Sequence, residues 1–228
     1  MRTRVKICCM ASPSEVRAAA VAGADCIGAV GPMPSGPGPI DDETARAVIA
    51  AAPPGVTPFL LSQETTIEGL ARHVRATRAT VVQLVRHVDP RLHSDIREAL
   101  PGVKIVQVIH VENDTALELA RGYALTADAL LLDSGNPAAH SGSGGGEVEA
   151  FGGTGRTHDW RLSRQIVQIV EKPVYLAGGL TQANVADAIA IVRPFGVDLC
   201  SGVRTLGKLD LKKLTSFFAA LRGAERSV

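Results

Sequence analysis

Eight short apolar runs alternate with eight longer stretches of helical period along almost the whole chain, and this rhythm constrains the fold more than any single residue does. The runs fall at 5–9, 26–30, 57–61, 81–85, 104–110, 129–133, 174–177 and 197–200. The helical stretches fall at 14–22, 42–51, 67–75, 91–100, 114–121, 160–170, 182–192 and 211–222. Punctuation agrees with this division. Ser12-Pro13 opens the first helix, Gly23 closes it, and Pro53-Pro54-Gly55 stops the second. Eight strand–helix units in 228 residues leave about 28 residues each, the size of one βα unit. The expectation is an α/β protein, a (β/α)8 TIM barrel occupying 1–228 as a single domain. An open doubly wound sheet shares the alternation, but it has fewer strands and a Gly-rich turn after the first. Here the first run ends in Cys8-Cys9-Met10, and the glycines gather after the sixth, seventh and eighth.

Composition narrows the partners. With 24 basic and 23 acidic side chains, the net charge of +1 gives no electrostatic footprint for nucleic acid or an anionic membrane. No apolar run reaches the ~18 residues that span a bilayer, and residues 1–10 lack the shape of a signal peptide, so a cytoplasmic protein is expected. The four cysteines show neither CxxC nor zinc-site spacing, so reduced thiols and no metal are expected. Two segments break the rhythm. GPMPSGPGP (31–39) reads as a rigid loop after the second strand, and the stretch around 134–151, with SGSGGG at 141–146, as a flexible active-site insertion.

Barrel active sites lie at the C-terminal ends of the strands. Strand alternation puts Lys6 and Cys8 on one face and Val5, Ile7 and Cys9 on the other, and a lysine suits the interior better than the helix-facing side. Cys8 then reaches the mouth. Asp133 reaches it from the sixth strand, across the barrel. A thiolate and a carboxyl group flanking a small molecule suit a base that removes a carbon-bound proton and an acid that protonates a leaving oxygen. The bland alternative is a cysteine that only fills space. Three glycine clusters follow neighbouring strands and supply Gly153, Thr154 and Gly155, then Gly178 and Gly179, then Ser201 and Gly202. Backbone N–H groups at such loops approach an anion closely, which points to a phosphate-bearing ligand. Lys6, Gln83, His110 and Asp198 are further candidates to touch it. Asp159 beside His158 reads as the cap of the sixth helix, and Arg86, His87 and Arg91 as a charged loop.

Taken together, these residues resemble the phosphoribosylanthranilate isomerase family. The matching stretches are VKIC (5–8), GADCIGAV (23–30), LLDS (131–134), GGTG with DW (152–155, 159–160), LAGGL with NV (176–180, 184–185) and VDLCSGV (197–203). They run in order over nearly the whole chain. The resemblance implies a (β/α)8 barrel, an Amadori rearrangement of an aminoaldose 5-phosphate in tryptophan biosynthesis, a sugar-phosphate substrate, a monomer or homodimer, and no cofactor. By the same resemblance Cys8 corresponds to the general base and Asp133 to the general acid, with the GTG, GG and SG segments as phosphate loops. Cys8 then needs a lowered pKa, to which Lys6 is a candidate contributor.

The departures are as specific as the matches. Where the family reads C-G-I-T, this chain has Cys8-Cys9-Met10-Ala11. The family's loop Arg for the anthranilate carboxylate has no counterpart in PSGPGPI (34–40), where Gly38 falls nearest its place. QLHG becomes QLVR (83–86) and SGVE becomes SGVR (201–204). A lost charge-assisted contact is worth ~1.5–3 kcal/mol. Three readings stand: the family's isomerase with the carboxylate taken by Arg86 or Arg204, the same chemistry on another sugar phosphate, and a non-catalytic barrel that senses a phosphorylated metabolite.

Overall fold

The computed structural model describes residues 2–33, 38–134 and 158–226. Eight parallel strands close into a barrel in sequence order: β1 (Arg4–Ile7), β2 (Cys26–Val30), β3 (Thr57–Ser62), β4 (Val81–Leu84), β5 (Lys104–His110), β6 (Ala129–Asp133), β7 (Val174–Leu176) and β8 (Gly196–Leu199). The helices between and after them are α1 (Pro13–Ala22), α2 (Asp42–Ala50), α3 (Ile67–Thr77), α4 (Arg91–Ala99), α5 (Thr115–Ala124), α6 (Trp160–Ile169), α7 (Val185–Val192) and α8 (Leu211–Arg226). The barrel expected from the alternation is the one found. No helix among the described residues is long and apolar enough to cross a membrane.

Local chemistry sets the element ends. Ser12 caps α1 by accepting the Glu15 N–H, Pro13 follows, and Gly23 closes the helix at φ +112° with its N–H on the carbonyls of Ala19 and Ala20. Asp41, Thr66 and Asp159 cap α2, α3 and α6 in the same way, Asp159 accepting the Arg161 N–H at 2.8 Å as the sequence suggested. The seventh helix starts later than its period implied, at Val185. Residues 182–184 form a turn in which the Asn184 side chain accepts the Thr181 N–H at 2.8 Å and donates to the Gly179 carbonyl at 3.0 Å.

Two buried layers result from the period-2 alternation. Val5, Ile7, Ile27, Leu60, Ile105, Leu130 and Val197 face outward into the shell of helices. Cys26, Phe59, Val81, Val106, Ala129, Leu131 and Tyr175 fill the interior. Tyr175 meets Phe59 edge to face, with ring centroids 6.0 Å apart, and its hydroxyl lies 3.7 Å from the Cys26 sulfur.

The barrel closes where β1 pairs with β8, from Arg4↔Gly196 to Ile7↔Leu199. Just beyond that seam a short hairpin, β9 (Arg204–Thr205) and β10 (Lys208–Leu209), carries Arg204 back over the end of β1. Its guanidinium donates to the carbonyls of Cys8, Cys9 and Gly207 and pairs with Glu15 at 3.1 Å. Glu15 also accepts the N–H groups of Ala11 and Leu209, each at 3.0 Å. Burial alone would raise the Glu15 pKa, but Arg204 and the two amides hold it below its ordinary 4.5. The stabilisation from a depressed carboxylate is complete above its unfolded pKa and is lost as pH falls through the folded one. Glu15→Gln should therefore cost about 1–3 kcal/mol at neutral pH, with the gap to the parent narrowing as pH drops below 4.5, as urea melts at several pH values will show.

Candidate active site

A cavity open to solvent sits at the C-terminal mouth of the barrel. Cys8, Gln83, His110, Asp133, Gly178, Gly179, Asp198 and Ser201 all line it. The structure thus brings together most of the residues the sequence singled out. Lys6 lies beneath them, fully buried, and Gly202 stands in a single turn of 3-10 helix after β8, packed onto the Leu180 carbonyl. Gly153, Thr154, Gly155 and all but the first residue of the insertion around 134–151 lie outside the described residues.

Cys8 and Asp133 face each other from β1 and β6, three strands apart round the closed barrel. Asp133 ends β6, half-buried, and accepts the N–H of Ser134 at 2.7 Å. Cys8 is nearly closed in, and its N–H is held by the Leu199 carbonyl at 2.7 Å. Its neighbour below is an ion pair across the barrel seam: Lys6 Nζ lies 2.8 Å from Asp198 Oδ2, both side chains buried. Lys6 Nζ also lies 5.5 Å from the Phe59 ring centroid.

These charges pull the thiol in opposite directions. Burial raises the Cys8 pKa, Lys6 lowers it, and Asp198 raises it again; the net result is a thiol pushed up to about 11. The expected lowering by Lys6 is present but is outweighed by burial. For Lys6 itself, burial disfavours the charge, yet Asp198 and Cys8 carry its pKa above the ordinary lysine value. Burial raises Asp198, with Lys6 opposing.

Two glycines make the geometry possible. Gly28 faces the interior from β2, and a Cβ there would lie 2.9 Å from Cys8 Sγ and 3.2 Å from Lys6 Nζ. Gly178 has φ +85°, and a Cβ there would meet the Ser134 hydroxyl at 2.6 Å. Sequence reasoning passed over Gly28, although a glycine at an inward strand position signals that a neighbouring group is close. It also passed over the role of Asn184, which pins Gly179 through its carbonyl.

The structure overturns two sequence-based assignments. Cys9 was placed on the outward face, opposite Cys8, but β1 stops at Ile7 and Cys9 turns at φ +63°, so its side chain joins the interior cluster with Cys8. Strict alternation ends where the strand does. Arg204 was a candidate for a substrate carboxylate, but its hydrogen bonds go to Cys8, Cys9, Gly207 and Glu15 behind the cavity. Arg86, the other candidate, is not among the residues lining the cavity.

Three lining residues keep a buried polar atom without a protein partner: Gln83 Oε1, His110 Nδ1 and Asp198 Oδ1. The other His110 nitrogen, Nε2, stands 3.2 Å from the Val85 carbonyl. Below it, buried Gln107 donates to the Arg86 carbonyl at 2.8 Å and contacts His93 at 3.1 Å, fixing the loop after β4. Buried polar atoms cost free energy unless something satisfies them, so these three describe a site built for a polar ligand. Among the described residues, no group of three or more His, Cys, Asp or Glu is placed to hold a metal ion.

Fold and site define a (β/α)8 barrel with a thiol and a carboxyl group facing each other across a polar cavity at its mouth. Residues 5–220 match the family described as N-(5'phosphoribosyl)anthranilate (PRA) isomerase, and the chain belongs to that family. It is 38% identical over 221 residues to the N-(5'-phosphoribosyl)anthranilate isomerase of Methanocella arvoryzae, covering 96% of this chain and 98% of that one. To the Halobacterium salinarum protein of the same name it is 39% identical over 220 residues, covering 95% and 94%. Among solved structures, phosphoribosyl anthranilate isomerase from Thermotoga maritima superposes with a TM-score of 0.79 at 28% identity, covering 97% of this chain and 99% of that one. A phosphoribosyl anthranilate isomerase in complex with reduced 1-(o-carboxyphenylamino)-1-deoxyribulose 5-phosphate superposes with a TM-score of 0.77 at 27% identity, over 97% and 99%.

Two outcomes test these electrostatics. Lys6→Met leaves the Asp198 carboxylate buried without its cation and should cost about 3–5 kcal/mol in urea unfolding. Alkylation of Cys8 by iodoacetamide, followed by peptide mass mapping, should speed up close to tenfold per pH unit between pH 7 and 9. That slope follows because a thiol near 11 has a thiolate fraction that rises tenfold per unit throughout that range.

Proposed function

We propose that this chain is a phosphoribosylanthranilate isomerase, an aldose–ketose isomerase of tryptophan biosynthesis acting in the cytoplasm. The observation that carries the proposal is the opposition of Cys8 and Asp133 across one cavity, in a chain of this family. The 5-phosphate of the substrate is held by the backbone at Gly178, Gly179, Ser201 and Gly202, together with Gly153, Thr154 and Gly155. The left-handed turn at Gly178 and Gly179, braced by Asn184, supports the second of these loops.

Asp133 donates its proton to the furanose ring oxygen. The bond from C1 to that oxygen breaks, and the nitrogen lone pair forms a cationic Schiff base. Cys8, as thiolate, takes the proton from C2, and those electrons neutralise the iminium to give an enolamine. Tautomerisation of the enolamine gives the aminoketose phosphate, so the reaction is balanced within one molecule and needs no cofactor. The chemistry also answers the high thiol pKa. The Schiff base adds a second positive charge near the one on Lys6, and together they favour the thiolate at the step that needs it. Gln83, His110 and Asp198 offer their unpartnered atoms to the ligand, and Lys6 positions Cys8 from below.

One observation favours the second reading, the same rearrangement on a different phosphorylated aminosugar. No lining residue of the cavity, among those described, is a lysine or arginine that would meet an aglycone carboxylate. One assay separates the two. Freshly made phosphoribosylanthranilate is mixed with the protein, and the loss of anthranilate fluorescence is followed. Turnover is expected, with Cys8→Ala and Asp133→Asn each lowering it by about 10²–10⁴-fold. Absence of turnover, with inorganic phosphate still raising the melting temperature, would replace the substrate but keep the phosphate site. Full activity of either variant would remove the proposed mechanism.

A further inference from the structure

We infer that Cys9 and Cys200 are a reversible disulfide site, a clasp that joins the first and last strands of the barrel when a small organic disulfide oxidises it. Both residues carry free thiols here, and their sulfurs lie close enough together to bond. The topology explains the approach. The last register pair of the seam is Ile7↔Leu199, so Cys9 and Cys200 occupy the chain just past the paired ends of β1 and β8. Cys9 holds φ +63°, which turns its side chain inward into the same cluster and the same cavity wall as Cys200. On its other side Cys9 is confined by Gly38, where a Cβ would come within 3.0 Å of its own.

Arg204 holds both segments in place. It follows Cys200 by one short turn and donates to the carbonyls of Cys8 and Cys9. The remaining thiols are committed elsewhere. Cys8 Sγ lies over Gly28, towards β2 rather than β8, and Cys26 lies lower in the barrel against the Tyr175 hydroxyl. Bond formation between Cys9 and Cys200 thus needs no movement of the seam and does not consume the proposed catalytic thiol.

The half-exposed thiol of Cys200 is the point of entry. Its thiolate attacks the oxidant disulfide, forming a mixed disulfide and releasing one small thiol. The Cys9 thiolate then attacks the Cys200 sulfur and releases the second. The protein loses two protons and two electrons, and the oxidant gains them. In a reducing compartment the pair rests as two thiols, so the clasp closes only when the surroundings oxidise. Nearly the whole barrel lies between the two residues in sequence, so their link constrains the unfolded chain strongly.

The full chain is incubated with oxidised glutathione, then examined by intact mass, peptide mapping with fragmentation, and thermal melting. The expected result is a loss of two hydrogen masses, a link assigned to Cys9 and Cys200, and a melting temperature higher by roughly 5–10 °C that dithiothreitol reverses. Cys200→Ser and, independently, Cys9→Gly should each abolish the mass loss and the rise. The glycine variant suits the left-handed turn and so guards against a folding artefact. A stable glutathione adduct at Cys200, a link through Cys8, or a link with no gain in melting temperature would overturn the inference.

Discussion

The Lys6–Asp198 ion pair is the interaction on which the site depends. It joins β1 to β8 at the register that closes the barrel, with both side chains out of water. Such a pair returns little net stability, because desolvation offsets most of its attraction, while loss of either partner strands a buried charge. Its value lies in position. Lys6 and Cys8 sit on the same face of one strand end, so the pair that closes the barrel also sets the field at the thiol beside it. Gly28 completes the arrangement from β2, because only a residue without Cβ leaves room for both the thiol and the ammonium.

Above this pair the barrel changes character. Its lower interior is filled by aromatic and aliphatic side chains from alternating strand positions, a packed core rather than a pore. At the mouth, the same alternation delivers Gln83, His110 and Asp133 to the cavity, and atoms of Gln83, His110 and Asp198 remain unsatisfied there. One polar cluster outside the cavity is self-satisfied. Buried His93 joins half-buried Thr126 at 2.8 Å to buried Gln107 at 3.1 Å, and Gln107 also holds the loop after β4. Gln83, His110 and Asp198 each bring an unpaired buried atom to one cavity, where a polar ligand would satisfy them.

Most of this was legible in the sequence because period-2 and period-3.6 patterns persist through all eight units. Seven of the eight strands were placed within one residue at each end, and Lys6 was assigned to the interior on the single argument that a cation does not suit the helix-facing side. What escaped was whatever depends on backbone that leaves the regular pattern. Cys9 lies two residues past the end of β1 in a left-handed turn, and no periodicity argument reaches it. The delayed start of α7 came from the side-chain hydrogen bonds of Asn184, which compete with helix formation at a helix edge. The balance at Cys8 was illegible for another reason. Proximity of Lys6 could be read from spacing, but the desolvation that outweighs it belongs to the assembled barrel.

The same distinction bears on ligand recognition. An arginine in a sequence advertises a charge, yet the terminal nitrogens of Arg204 are engaged by Glu15 and three carbonyls, so its charge supports the strand end that carries Cys8. Recruiting it for a ligand would strip those acceptors and leave the half-buried Glu15 carboxylate without its cation, a cost larger than one surface contact returns. Among the described lining residues there is no arginine or lysine, and the unpartnered polar atoms belong to Gln83, His110 and Asp198. His110 is the natural centre of that set, because one ring nitrogen faces the Val85 carbonyl and the other is left for a ligand. A proton on Nε2 would face that carbonyl and leave Nδ1 as an acceptor, the partner a hydroxyl or amine donor needs.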